Sequence, residues 1–352
     1  MLATLFYCYP IALAVMTIGY LVAWRKRRVD VVDVCWGITI MAVAAASLLL
    51  APEPTLALYI AIVLIGVWGA RLSLHIARRF VSTAVQDERY TMLMNKWPAS
   101  NLWLQIYVRI FVAQSLLACV VALPVIVIAE SASFSYPWLA VGTGLWLIGF
   151  AFESIADAQL AAFVTDHRNR GKLMKSGLWR YSRHPNYFGE IIMWWGIAAI
   201  AAMSPLWLVA VIGATTISAL ICFVSGVPLA EARTAQRFGW HQYRRSTSVL
   251  VPWPPRADAN YLPLRSRCGQ PDQQQGRRSP HESLSIVTRM RLARVSGFLA
   301  SVIQQINSLR ASGVISCHAA NSFASPSITT RRSEVISWTV PLEIRAFVMY
   351  LL

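Results

Sequence analysis

The sequence has little charge and no paired cysteine motif. Charged residues make up 14% of its 352 residues, against 56% hydrophobic. A water-soluble domain carries about 25% charge, so no soluble class fits. The six cysteines, Cys8, Cys35, Cys119, Cys222, Cys268 and Cys317, are isolated. Without a C-x-x-C they suggest neither a metal site nor a disulfide framework. Four of them lie in apolar blocks, where cysteine behaves as a small hydrophobe. A Gly-x-Gly-x-x-Gly run is also absent, which excludes a Rossmann dinucleotide site. The net charge is +16, but no stacking platform or base-reading motif accompanies it, so nucleic acid is not an expected partner. No basic residue precedes the first apolar block, which is too long for a signal-peptide core and is read as a first span.

What is present is a series of apolar blocks about 20 residues long, the length a helix needs to cross a bilayer. They cover residues 2–24, 31–50, 56–75, 103–129, 137–164, 186–203 and 206–225. These predict an all-α membrane protein of about seven transmembrane helices, forming one domain over residues 1–255. Past residue 255 the apolar blocks stop, and an Arg- and Ser-rich tail shows little periodicity. Residues 256–352 are expected to have little order.

The loops set an orientation. Arg25-Lys26-Arg27-Arg28 follows the first block, and residues 51–55 carry no base. Arg78, Arg79, Arg89 and Lys96 lie in the next connection, and residues 130–136 again carry none. Arg168, Arg170, Lys172, Lys175, Arg180 and Arg183 precede the sixth block, and Arg233, Arg237, Arg244 and Arg245 follow the seventh. Positive loops face the cytoplasm, so the N-terminus is expected outside and the C-terminus in the cytoplasm, most simply of a bacterial inner membrane.

In this arrangement the intramembrane polar residues share one depth. Asp33, Arg71, His75, Arg109, Glu153, Asp157, Asn186 and Glu190 all fall toward the basic ends of their blocks. Arg71 and His75 are four apart, as are Glu153 and Asp157, so each pair projects from one helix face. Ionisable groups at such positions mark functional sites by default. Singly, each has a plainer reading: Asp33 as a helix lock with Arg71 or Arg78, the arginines as snorkelling side chains, residues 87–90 as a solvated turn. Together they predict a polar cavity open to the cytoplasm.

Residues 177–196 form one wall of that cavity. Arg180, Tyr181, Ser182, Arg183 and His184 lead to Pro185, placed where a helix begins. Asn186 and Glu190 then share one face. A basic loop feeding a helix N-terminus suits phosphate. After the seventh block, Glu231, Arg237 and Tyr243 lie in a segment expected at the membrane surface, able to close over a ligand.

The run Arg183-His-Pro-Asn-Tyr-Phe-Gly-Glu190 resembles the C-terminal signature of the steroid 5-alpha-reductase superfamily, most nearly its DUF1295 branch. Asp33-Val-Cys-Trp36-Gly37, Arg71 through His75 with Arg78, Asp87-Glu88-Arg89-Tyr90, Glu153 through Asp157, and Glu231 through Tyr243 carry the resemblance further. It implies a membrane reductase that uses NADPH on a double bond conjugated to a carbonyl, in a lipid or steroid-like substrate. It places the cofactor against Arg180, Arg183, Asn186, Tyr187, Glu190, Glu231, Arg237 and Tyr243, in a cytoplasm-facing cavity. The family's Gln-Glu pair is absent from the second block, and Asp33, Arg71, His75 and Tyr90 are expected at the substrate carbonyl instead. No metal is implied. A methyltransferase of the isoprenylcysteine carboxyl type, binding S-adenosylmethionine, shares an Arg-His-Pro-x-Tyr-x-Gly piece and is the alternative. A non-enzymatic lipid carrier or scaffold is a third.

Overall fold

The computed structural model describes residues 1–256. The tail read as 256–352 lies outside the described residues except for Arg256. Among the described residues every named element is a helix. They are α1 (Leu2–Lys26), α2 (Val31–Leu50), α3 (Leu56–Ser82), the short α4 (Glu88–Met94), α5 (Ala99–Val121), α6 (Leu123–Ala129), α7 (Tyr136–Thr165), α8 (Pro185–Ile200), α9 (Trp207–Ala219), α10 (Val227–Thr234) and α11 (Trp240–Ser246).

Among the described residues, six helical runs are long and apolar enough to cross a membrane: α1, α2, α3, α5, α7, and the run Trp207–Thr234 that holds α9 and α10. The chain is an integral multi-pass membrane protein. The block predicted over residues 186–203 is α8, of 16 residues. At 1.5 Å per residue it is about 24 Å long, shorter than the roughly 30 Å hydrocarbon core. It ends at Ile200 and gives way to tight turns, with Ala201 N on Ala198 O, Ala202 N on Ala199 O and Ser204 N on Ala201 O. The fourth block, predicted as one helix to residue 129, breaks at Ala122. Pro124, at the start of α6, has no N–H to continue the ladder. Two π-helical turns interrupt the long helices, at Tyr107–Val112 in α5 and Leu220–Val224 after α9.

Helix starts are made by side chains and prolines. Thr55 caps α3 by accepting from Leu58 N–H. Asp87 caps α4 by accepting from Arg89 N–H at 3.0 Å. Prolines occupy the first turns of α6, α7, α8 and α10, where the missing donor costs nothing.

The closest helix pair is α7 with α8. Gly142 and Gly149 of α7 face Gly196 and Gly189 of α8. Helices in lipid associate through such close backbone approach, because apolar burial gives no net drive there. A methyl group at Gly189 would lie 2.6 Å from Glu153 N, so the two backbones touch beside the polar residues of both helices. Gly189→Ala is therefore expected to cost about 1–3 kcal/mol, read as a lower unfolding midpoint in detergent, and to move Glu153 away from Glu190.

Candidate functional site

Two clusters of opposite character lie at the end of the bundle that carries the basic loops. The first joins α3, α7 and α8. Arg71 on α3 spreads its guanidinium over two carboxylates of α7: Nη1 donates to Glu153 Oε1 at 2.6 Å and Nη2 to Asp157 Oδ2 at 2.5 Å. This fork geometry orients both acids at once. Asn186 on α8 donates from Nδ2 to Asp157 Oδ1 at 3.2 Å. Glu190, one turn further on, stands within electrostatic reach of Glu153, Asp157 and Arg71 and makes no hydrogen bond or ion pair among the described residues. Three carboxylates thus share one arginine. Two acceptors in this cluster are buried without a partner, Glu153 Oε2 and Asn186 Oδ1. Buried acceptors are normally satisfied, so this basin is short of donors.

The second cluster is centred on Asp87, whose side chain is only 3% exposed. Three arginines converge on it from different parts of the chain. Arg79 Nη2 approaches Oδ2 at 2.8 Å, Arg89 Nε approaches Oδ1 at 3.0 Å, and Arg233 Nη2 approaches the two oxygens at 3.1 and 3.2 Å. Arg89 also donates to Asp33 Oδ2 at 2.7 Å, and Tyr90 donates its hydroxyl to Asp33 Oδ1 at 2.6 Å. Asp33 is locked by α4 and not by Arg71 or Arg78. Burial, then the charge of Asp33, holds the Tyr90 phenol well above its ordinary range, so Tyr90 stays a donor.

Burial opposes the charge of Asp87, but the hydrogen bonds and positive charge of Arg89 and the charge of Arg233 win, and its pKa sits well below the usual carboxylate range. The folded value is depressed, so this stabilisation is fully present above the unfolded value of about 4 and is lost as pH falls through the folded value. Asp87→Asn leaves Arg79 and Arg233 without their anion, while Arg89 keeps Asp33, and is expected to cost about 3 kcal/mol at neutral pH. The difference between the two proteins should stay constant above about pH 5 and shrink in stronger acid, which unfolding curves at several pH values will read.

Tyr187 on α8 feels charges of both clusters, Glu190 and Asp157 of the first and Arg89 and Arg233 of the second. Its ring stacks on His184, with centroids 5.4 Å apart and planes 15° from parallel.

The remaining predicted ligand groups are placed differently. Arg183 is buried and fully engaged within the protein. Nε and Nη2 donate to Glu231 Oε1 at 2.9 and 2.7 Å, and Nη1 donates to the carbonyls of Arg244 and Thr247 at 2.8 and 2.6 Å. Tyr243 is buried with its hydroxyl donating to Trp179 O at 2.6 Å. With the backbone contacts Arg183 N to Ser248 O and Trp253 N to Tyr181 O, these residues fasten the segment after α11 to the loop before α8. Arg183, Glu231 and Tyr243 thus brace this end of the bundle; a buried guanidinium has to be paired, and here the chain itself pairs it. Arg180 and Arg237 are exposed, Arg180 near the Tyr181 ring and Arg237 donating to Lys172 O at 3.1 Å.

His75 is exposed and joins neither cluster. Sequence reasoning passed over Asp87, Arg89, Arg79 and Arg233 as site residues. Asp87 followed two residues later by Arg89 was the available signal, since such an acid caps a helix while facing the arginine.

The comparisons with known proteins meet this geometry at a distance. Thirty per cent identity over 122 residues links the chain to 3-oxo-5-alpha-steroid 4-dehydrogenase 1 of Macaca fascicularis, covering 33% of this chain and 41% of the relative. The Homo sapiens protein of that name matches at 29% over 122 residues, 33% of this chain and 42% of the relative. Very-long-chain enoyl-CoA reductase of Dictyostelium discoideum matches at 27% over 113 residues, 32% and 35% of the two chains. The chain thus spans about two-fifths or less of the length of these relatives. No solved structure matches it. Residues 19–247, which include both clusters and the bracing contacts around Arg183, match the family described as Protein of unknown function (DUF1295), and the chain belongs to that family.

Proposed function

We propose that the chain is a membrane-embedded, NADPH-dependent reductase of a carbon–carbon double bond conjugated to a carbonyl, acting on a lipid or steroid-like substrate. The observation that carries the reading is the pair of unlike polar basins near the basic loops. One is short of donors and the other rich in guanidinium. A dinucleotide has the matching asymmetry. Its carboxamide and ribose hydroxyls offer hydrogens to Glu153 Oε2, Asn186 Oδ1 and Glu190, and its phosphates suit Arg89 and Arg233. The relatives' names, a steroid 4-dehydrogenase and an enoyl-CoA reductase, support the same class of reaction.

NADPH, when bound, supplies a hydride for the β-carbon of the enone. The chain's own groups do the rest. Negative charge develops on the substrate carbonyl oxygen, and a fixed donor there lowers the barrier. Tyr90 would be that donor by turning its single hydroxyl hydrogen from Asp33 Oδ1 to the substrate oxygen, while Arg89 holds Asp33 in place, and a proton from water would then reach the α-carbon. Arg71 acts one step back, by orienting Glu153 and Asp157. The cavity faces the cytoplasm, with the N-terminus outside and the C-terminus inside, in a bacterial inner membrane.

One observation favours the methyltransferase reading: three carboxylates around one arginine also suit the sulfonium of S-adenosylmethionine. The arginines on Asp87 have no role in that reading. The test is oxidation of NADPH by the purified protein, followed by absorbance, with a 3-oxo-4-ene steroid and a long-chain enoyl thioester. The proposal expects one of them to be reduced, and Tyr90→Phe to lower that rate by about 100-fold through loss of the donor. Methyl transfer from S-adenosylmethionine without NADPH oxidation would replace the reading.

A further inference from the structure

α1 and α5 meet along an aromatic seam. Tyr20 of α1 stands against Trp103 and Tyr107 of α5, with ring centroids 6.3 and 4.8 Å apart. Thr17 Oγ1 and the Tyr107 hydroxyl oxygen lie 3.0 Å apart about one turn deeper. At the end with the basic loops the seam is closed by Arg27. Its guanidinium lies over the rings of Trp24 and Trp103, 6.0 and 5.2 Å from their centroids.

The cations at this end have no anion of their own. Arg25, Lys26 and Arg27 are exposed, and their side chains make no ion pair or hydrogen bond among the described residues. α1 and α5 contain no Asp or Glu. The next carboxylate along the chain, Asp30, is held by Arg28 at 2.7 Å. Three positive charges therefore stand together with no carboxylate on either helix. A guanidinium stacked on an indole keeps its N–H groups pointing outward in its own plane, where they suit a phosphate.

Below the cations the seam is greasy. Leu21, three residues before Trp24, is 51% exposed, and Leu104, three before Tyr107, is 61% exposed. Residues at that spacing share a helix face, so both flank the aromatic rings where acyl chains lie. Of the six spans among the described residues, α1 is the least buried. From Arg27 back to Thr17 the seam covers about 15 Å of helix, which is half of the roughly 30 Å hydrocarbon core and so the depth of one leaflet.

We propose that the α1–α5 seam binds an anionic diacyl phospholipid of the surrounding bilayer, its phosphate meeting Arg27 beside Arg25 and Lys26 and its acyl chains lying along Leu21 and Leu104. Basic groups between membrane helices recognise such heads by charge. The bound lipid clamps the loosely packed α1 to α5. It is a structural ligand and not the substrate, so the site does not depend on the reductase reading.

The test uses the whole protein in neutral detergent, with dioleoyl phosphatidylglycerol as probe. This lipid is expected to raise the thermal unfolding midpoint by several degrees, as a ligand of the folded state does. Dioleoyl phosphatidylcholine has the same chains and no net charge, and glycerol 3-phosphate has the anionic head without chains; both are expected to leave the midpoint in place. Arg27→Gln should remove most of the shift. Should that variant unfold in detergent, Arg25→Gln combined with Lys26→Gln reads the same loss. Arg170→Gln takes one charge from an exposed position on the loop before α8 and should keep the whole shift. Equal stabilisation by phosphatidylcholine or glycerol 3-phosphate, no stabilisation by phosphatidylglycerol, an unaltered response in the seam variants, or the same loss in Arg170→Gln would each overturn the proposal.

Discussion

Arg183→Ala is expected to destabilise the protein by about 3–5 kcal/mol, without a selective loss of ligand affinity. Four contacts disappear together: two to Glu231 and one each to the carbonyls of Arg244 and Thr247. Glu231 then keeps only His184, whose Nε2 is 3.6 Å away, beyond hydrogen-bond length. The extended segment that pairs Ser182 with Ser248 loses its anchor as well. Lysine should not rescue the variant, because one ammonium cannot reproduce a planar fork that serves a carboxylate and two carbonyls. Thermal unfolding followed by tryptophan fluorescence will read the effect. A variant with wild-type stability and no NADPH binding would return Arg183 to the cofactor.

Glu190→Gln should behave in the opposite way. Glu190 makes no internal bond and stands near two other carboxylates with a single arginine among them. Glutamine keeps the shape of the side chain and removes the third carboxyl of a crowded trio, so stability should hold or rise by about 1 kcal/mol. Affinity for NADPH should fall by about 10- to 100-fold, the worth of one hydrogen bond to a charged group. The two variants together separate residues that hold the ligand from residues that hold the protein. A destabilised Glu190→Gln with unchanged affinity would reverse the assignment.

The spans were legible because bilayer thickness fixes their length, and no other force competes with that signal over 20 apolar residues. The break at Ala122 depends on Pro124, a single residue inside a run that stays apolar on both sides. The acidic basin was legible too. Glu153 and Asp157, and Asn186 and Glu190, each repeat at helical spacing, and charges at that depth need partners. Arg183 and Tyr243, expected at the cofactor, have internal partners that the sequence did not announce. A guanidinium or phenol that binds a phosphate looks the same in sequence as one that binds a carbonyl 61 or 64 residues away. Asp87 was obscured because its three arginines come from α3, α4 and α10, and no local pattern announces a meeting across 146 residues.

The central claim is that the two basins together hold a dinucleotide. Thermal unfolding of the purified protein with NADPH, NADH and S-adenosylmethionine tests it most directly, since a ligand that binds only the folded state raises the midpoint. The account predicts stabilisation by NADPH, a smaller shift with NADH, which lacks the 2′-phosphate, and none with S-adenosylmethionine. Stabilisation by S-adenosylmethionine with no response to NADPH would contradict it.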